Sequence, residues 1–81
     1  MNGASKNLEE LTAAFTANVW EVKCKAGEKV EKGQTLVILE AMKMEYPLTA
    51  TTSGTIAEVN FESNSLAHQG DVIVTILPEG Q

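Results

Sequence analysis

Thr35-Leu36-Val37-Ile38-Leu39-Glu40-Ala41-Met42-Lys43-Met44-Glu45-Tyr46-Pro47-Leu48-Thr49 is the stretch that decides the fold. It opens with an apolar run of strand length, from about Thr35 to Glu40. It closes with Met44, Tyr46 and Leu48 alternating with Glu45, Pro47 and Thr49, the period of a half-buried strand. The short passage between them makes an antiparallel hairpin with Lys43 near its tip. Pro47 has no N–H to give to a ladder, so it assigns the second strand to a sheet edge or to one unpaired position.

The flanking sequence extends the β pattern. Upstream, Trp20, Val22 and Cys24 alternate with Glu21, Lys23 and Lys25, which predicts three apolar groups on one sheet face. That strand ends at Ala26-Gly27. The polar loop from Gly27 to Gln34 is bracketed by glycines, and Val30 is its one side chain expected to plug into a core. Downstream, two more strands are predicted at about Thr55 to Phe61 and Val72 to Leu77.

Laid over itself at an offset of 37 residues, the chain shows a faint repeat. Val19 falls on Ile56, Val22 on Val59, Gly33 on Gly70, Leu36 on Ile73, Val37 on Val74 and Leu39 on Ile76. Cys24 takes the place of Phe61. One copy has too little apolar area to stand alone, whereas two packed face to face can share the core of a small sandwich or flattened barrel. Residues 1–10 are polar and without period and read as a flexible lead-in or linker. Residues 11–77 read as the domain and 78–81 as a tail.

Eighty-one residues is one small domain, of a size that buries only about 60% of its unfolded surface. It has no room for a deep catalytic cleft. The net charge is −5, with six lysines, no arginine and four aromatic residues. That balance offers neither the basic patch nor the stacking platform of a nucleic-acid binder. The longest apolar runs, such as Leu36 to Leu39, fall far short of the roughly 20 residues that span a bilayer. A soluble chain with no nucleic-acid or membrane partner is expected. Cys24 is the sole cysteine, and no basic-then-apolar signal segment opens the chain, so a reducing cytoplasm fits best.

The segment Glu40-Ala41-Met42-Lys43-Met44, set between two strands, resembles the attachment motif of biotin carboxyl carrier domains in the biotinyl/lipoyl family. The plain alternative is a surface lysine in a β-turn, with both methionines filling gaps in a core. The resemblance spans about Leu11 to Leu77 and implies an all-β fold. That fold is a flattened β-barrel or sandwich of two antiparallel sheets with pseudo-twofold symmetry and the modified lysine at a hairpin tip. By the same resemblance, a biotin protein ligase attaches biotin covalently to Lys43, with Glu40, Ala41, Met42 and Met44 as the recognition flank. A biotin carboxylase would then load the biotin and a carboxyltransferase unload it, so the chain itself would be a non-catalytic swinging-arm carrier. Met44 shares the parity of Tyr46 and Leu48, which leaves open a partly inward side chain.

Two departures bear on turn geometry. Family members often carry glycine where this chain has Thr16-Ala17-Asn18, and Asn64 stands where the first copy has Gly27; asparagine tolerates positive φ well. The passage from Lys25 to Gln34 is too short for the protruding thumb of some acetyl-CoA carboxylase carriers, which implies a thumbless type. Asn18-Val19-Trp20 looks like urea carboxylase or stand-alone carriers.

Two rivals remain at this level. A lipoyl domain would share the fold, but such domains usually have Asp-Lys-Ala at the turn. An unmodified interaction module would not need Lys43 at all. His68 sits in an exposed loop without other metal ligands nearby and reads as solvated. Cys24 reads as a small buried hydrophobe. Trp20 fits either a core or a contact surface.

Overall fold

A computed structural model of the chain describes residues 7–80. Within them eight strands form two four-stranded antiparallel sheets. Sheet A runs β1 (Glu9–Thr12), β8 (Val72–Pro78), β6 (Gly54–Val59), β3 (Lys29–Val30). Sheet B runs β5 (Met44–Thr49), β4 (Thr35–Ala41), β2 (Ala17–Val22), β7 (Ser65–Ala67). The expected all-β sandwich of two antiparallel sheets is the fold observed. Pro47 lies on β5, an edge strand, as its missing N–H requires.

The offset of 37 is a structural symmetry. It carries β2 onto β6, β3 onto β7 and β4 onto β8, while β1 takes in sheet A the place that β5 holds in sheet B. Loop hydrogen bonds repeat with it. The Gly27 N–H donates to the Ile56 carbonyl and the Asn64 N–H to the Val19 carbonyl; Gly33 donates to Ala50, and Gly70 to Ala13. Asn64 adopts φ 73° where Gly27 has φ 90°, so asparagine does fill the left-handed position that glycine takes in the first copy. The short strands β3 and β7 each cross to pair in the opposite sheet, which binds the two copies together.

Between the sheets, Val19, Leu36, Val37 and Leu39 meet Ile56, Ile73, Val74 and Ile76 in one buried cluster. Burying each such side chain contributes about 1.5–3 kcal/mol. Val30 is buried as expected, and Cys24 lies in the core, where desolvation and then the charge of Glu28 push its thiol pKa up. A thiol held protonated in this way is a poor nucleophile.

Three expectations need correction. Trp20 does not share a face with Val22 and Cys24. Val19 pairs with Leu39 and Glu21 with Ile38, so Trp20 is the extra residue of a β-bulge and turns outward, 51% exposed. The bulge returns Val22 and Cys24 to the inner side after Val19 has already pointed in. Second, the strand pattern starts before the expected boundary at residue 11. Glu9 and Glu10 already pair with Ile76 and Thr75, because backbone hydrogen bonds to β8 hold β1 without any apolar alternation. Residues 1–6 of the expected lead-in, and Gln81 of the expected tail, lie outside the described residues, and Pro78 still belongs to β8. Third, β3 and β7 are strands within stretches that read as loops, being too short to show a period.

Two substitutions test this packing. A Cβ on Gly54 would lie 2.1 Å from the Leu77 carbonyl oxygen across the β6–β8 pair, a backbone clash that no side-chain movement relieves. Gly54→Ala should lower the unfolding free energy in urea by about 3 kcal/mol. Thr75 is buried on sheet A, and its hydroxyl has no hydrogen-bond partner among the described residues. Thr75→Val should raise stability by about 1 kcal/mol in the same assay, since it removes an unsatisfied polar atom at nearly constant volume.

Candidate functional site

The hairpin quoted at the outset forms with an unbroken register at its tip: Leu39 pairs with Tyr46, Glu40 with Glu45 and Ala41 with Met44. Met42 and Lys43 alone make the turn. Their φ values are 51° and 67°, so both occupy the left-handed region, the pattern of a type I′ turn. Such turns favour Asn-Gly because an L side chain there costs about 1–2 kcal/mol per residue. Neither Met42 nor Lys43 relieves that strain. A strained two-residue turn with a long cationic side chain is one whose sequence answers to something other than folding.

The turn is held from below. Phe15, in the loop between β1 and β2, packs edge-on against Tyr46, with ring centroids 4.8 Å apart at 71°. The Tyr46 hydroxyl in turn donates to Met44 Sδ at 3.7 Å. Met44 keeps the inward parity of Tyr46 but lies past the last core layer, so it is 59% exposed, and Met42 is 93% exposed. Neither methionine is a core gap-filler, which removes the main plain reading of the motif. Sequence reasoning missed the bracing by Phe15. Its signal is the lone aromatic ring in Ala13-Ala14-Phe15-Thr16, whose partner comes from β5 and is invisible to local periodicity.

The structure thus brings the five motif residues together on one projecting tip: Glu40 and Ala41 at the end of β4, Met42 and Lys43 in the turn, Met44 opening β5. Lys43 is exposed, and no ion pair engages its amine among the described residues. Glu40 and Glu45 face each other across the ladder with no ion pair to either among the described residues. His68 and Asp71 form a solvent-facing turn in which the His68 N–H donates to Asp71 Oδ2 at 2.8 Å. No cluster of metal ligands occurs among the described residues.

A two-sheet domain that presents one exposed lysine on a tight two-residue turn defines a class: attachment domains, which carry a group linked through a lysine. Residues 10–76 match the sequence profile of the biotin/lipoyl family, described as "Biotin-requiring enzyme". The chain is 44% identical over 62 residues to the biotin/lipoyl attachment protein of Bacillus subtilis, covering 76% of this chain and 85% of that protein. It is 37% identical over 68 residues to the biotinylated protein TB7.3 homolog of Mycobacterium leprae, covering 84% and 96% respectively. Among solved structures, the urea carboxylase of Kluyveromyces lactis superposes with a TM-score of 0.80 at 30% identity, covering 86% of this chain and 6% of that one. The chain belongs to the biotin/lipoyl attachment family.

The turn yields a stability test. Replacing Met42-Lys43 with Asn-Gly should raise the unfolding free energy by about 1–2 kcal/mol, read from the urea midpoint, while removing the only amine in the turn. A loss of stability would show that the two side chains support the hairpin.

Proposed function

We propose that this domain is a biotin carboxyl carrier with biotin bound through an amide to Lys43 Nζ. The observation that carries the reading is the lysine on a strained two-residue turn, flanked by two exposed methionines and anchored by a ladder unbroken from the pair Val37 and Leu48 to the pair Ala41 and Met44. The family match and the similarity to a biotinylated protein supply the cofactor. The residues at the tip suit it. Lys43 is exposed on the turn and open to an incoming acyl group.

Biotin, when bound, supplies the ring that accepts and releases a carboxyl group. Everything else the chain does is mechanical and electrostatic. Forming an amide at Lys43 needs an activated acyl donor, whose leaving group departs as the C–N bond forms, and a partner that takes the proton, and we assign that task to a biotin protein ligase. Amide formation removes one positive charge, moving the chain from −5 to −6. The hairpin keeps the attachment atom at a fixed distance from the folded body, so the arm alone enters a partner's cleft. Tethering converts encounters with a biotin carboxylase and a carboxyltransferase into visits at high effective concentration. The carboxylase partners follow from the likeness to a urea carboxylase, of which this chain spans a small fraction. The domain carries no catalytic constellation of its own in this reading, and Cys24, a buried free thiol, suits a reducing cytoplasm.

Intact-mass spectrometry after co-expression with a biotin protein ligase and excess biotin, followed by peptide mapping, tests the proposal. One biotinyl group on Lys43 is the expected product, and Lys43→Arg should fold with an unchanged urea midpoint and remain unlabelled. A lipoyl group at Lys43 under comparable loading with a lipoyl ligase, and no biotin, would instead assign the domain to lipoyl transfer.

A further inference from the structure

The amine of Lys43 does not distinguish itself. Lys23, Lys25, Lys29 and Lys32 are exposed as well. An enzyme that acylates only one of them must read the surface around it. Among the described residues five large apolar side chains are exposed, and four of them, Trp20, Met42, Met44 and Leu66, belong to sheet B or its turn.

The internal repeat shows which of these the fold requires. The positions matching Trp20 and Leu66 in the other copy are Ala57 and Lys29. Ala57 is likewise the extra residue of a bulge, since Ile56 pairs with Ile76 and Glu58 with Thr75. The same backbone geometry is therefore built without an exposed indole. Trp20 and Leu66, each 51% exposed, are apolar for a reason outside folding.

Their placement is specific. Asn18 pairs with Leu66 on one side and Glu40 on the other, and Glu40 pairs with Glu45, which makes one row across sheet B. That row lies two rungs below the turn, about 7 Å along the hairpin from Lys43 at the usual strand rise. Two pairs further from the turn, and so on the same face, Trp20 and Glu21 stand opposite Ile38, and Ile38 opposite Pro47. The outer face thus carries Trp20, Ile38 and Pro47 in one row and Leu66, Asn18, Glu40 and Glu45 in the row nearer the turn, with Glu21 beside Trp20 and 3.8 Å from Lys23. Glu40 and Glu45 oppose each other directly, an arrangement that weakens an isolated ladder and is relieved by a cation from outside. A protein that takes Lys43 into a cleft covers about 800 Å² of its partner, enough to reach these rows.

We propose that the outer face of sheet B, centred on Trp20 and Leu66, is the docking surface by which the enzyme that acylates Lys43 selects it, and that this enzyme presents an apolar patch rimmed by basic side chains. The proposal rests on the carrier reading of Lys43. Aromatic anchors in an apolar centre set affinity, and the acidic side chains beside them set orientation and approach.

The test measures initial rates of biotin incorporation by a biotin protein ligase against the concentration of the full chain. The variant Trp20→Ala/Leu66→Lys installs the residues of the other copy, which the same fold already accommodates. Its KM should rise about tenfold or more while kcat stays within about twofold, a change in binding rather than chemistry. Lys29→Leu on sheet A should leave both constants unchanged, and added salt should raise the wild-type KM. If the double variant loses its cooperative thermal transition, Leu66→Lys and Glu45→Lys, both at exposed side chains, carry the same test. An unchanged KM in folded variants overturns the docking surface while leaving the carrier reading intact. A wild-type chain that takes up no biotin at all overturns the carrier reading, and this proposal with it.

Discussion

The structure depends on one shared apolar layer, in which Val19, Leu36, Val37 and Leu39 of sheet B are covered by Ile56, Ile73, Val74 and Ile76 of sheet A. Neither copy of the repeat can remove its own apolar face from water, so each is stable only against the other. The crossing of β3 and β7 into opposite sheets makes that dependence mutual. In a domain this small the layer leaves little spare stability, and the details at its margins matter accordingly.

One such detail is the pair of bulges in each copy. Trp20 and Ala57, and likewise Leu36 and Ile73, are the unpaired residues where the ladders shift register. At Leu36 and Ile73 the extra residue is swallowed by the core, whereas at Trp20 it is expelled. The same device therefore fills the interior in one place and decorates the surface in another. It also explains how a strand that begins with an inward Val19 ends with an inward Cys24.

The hairpin tip that bears Lys43 is anchored by this frame. Its ladder runs without interruption from Ile38 and Pro47 to Ala41 and Met44, and Phe15 and Tyr46 close the end of the core directly beneath it. The turn itself runs against local preference, with methionine and lysine at positive φ. A hairpin that holds unfavourable residues in a fixed turn needs a well-anchored base, and the core layer provides it. Lys43 is thus placed on an exposed turn that local preference does not favour.

Much of this was legible in the residues themselves. The alternation of Met44, Tyr46 and Leu48, the glycines at 33 and 70 and the apolar matches at an offset of 37 determined a duplicated β-sandwich with Lys43 at a hairpin tip, because strand period and turn chemistry are local properties. The motif around Lys43 pointed to the proposed attachment site on another ground, its resemblance to a family motif. Three features were decided only by the tertiary structure. Trp20 turned outward because its direction depends on a bulge set by the register with β4. Strand β1 formed because β8 offered it an open edge, although Glu9 and Glu10 show no strand pattern. Met44 was exposed because the core ends one residue pair short of it. Each depends on a partner distant in the chain, and periodicity within a segment carries no record of where a neighbouring strand begins, shifts or stops.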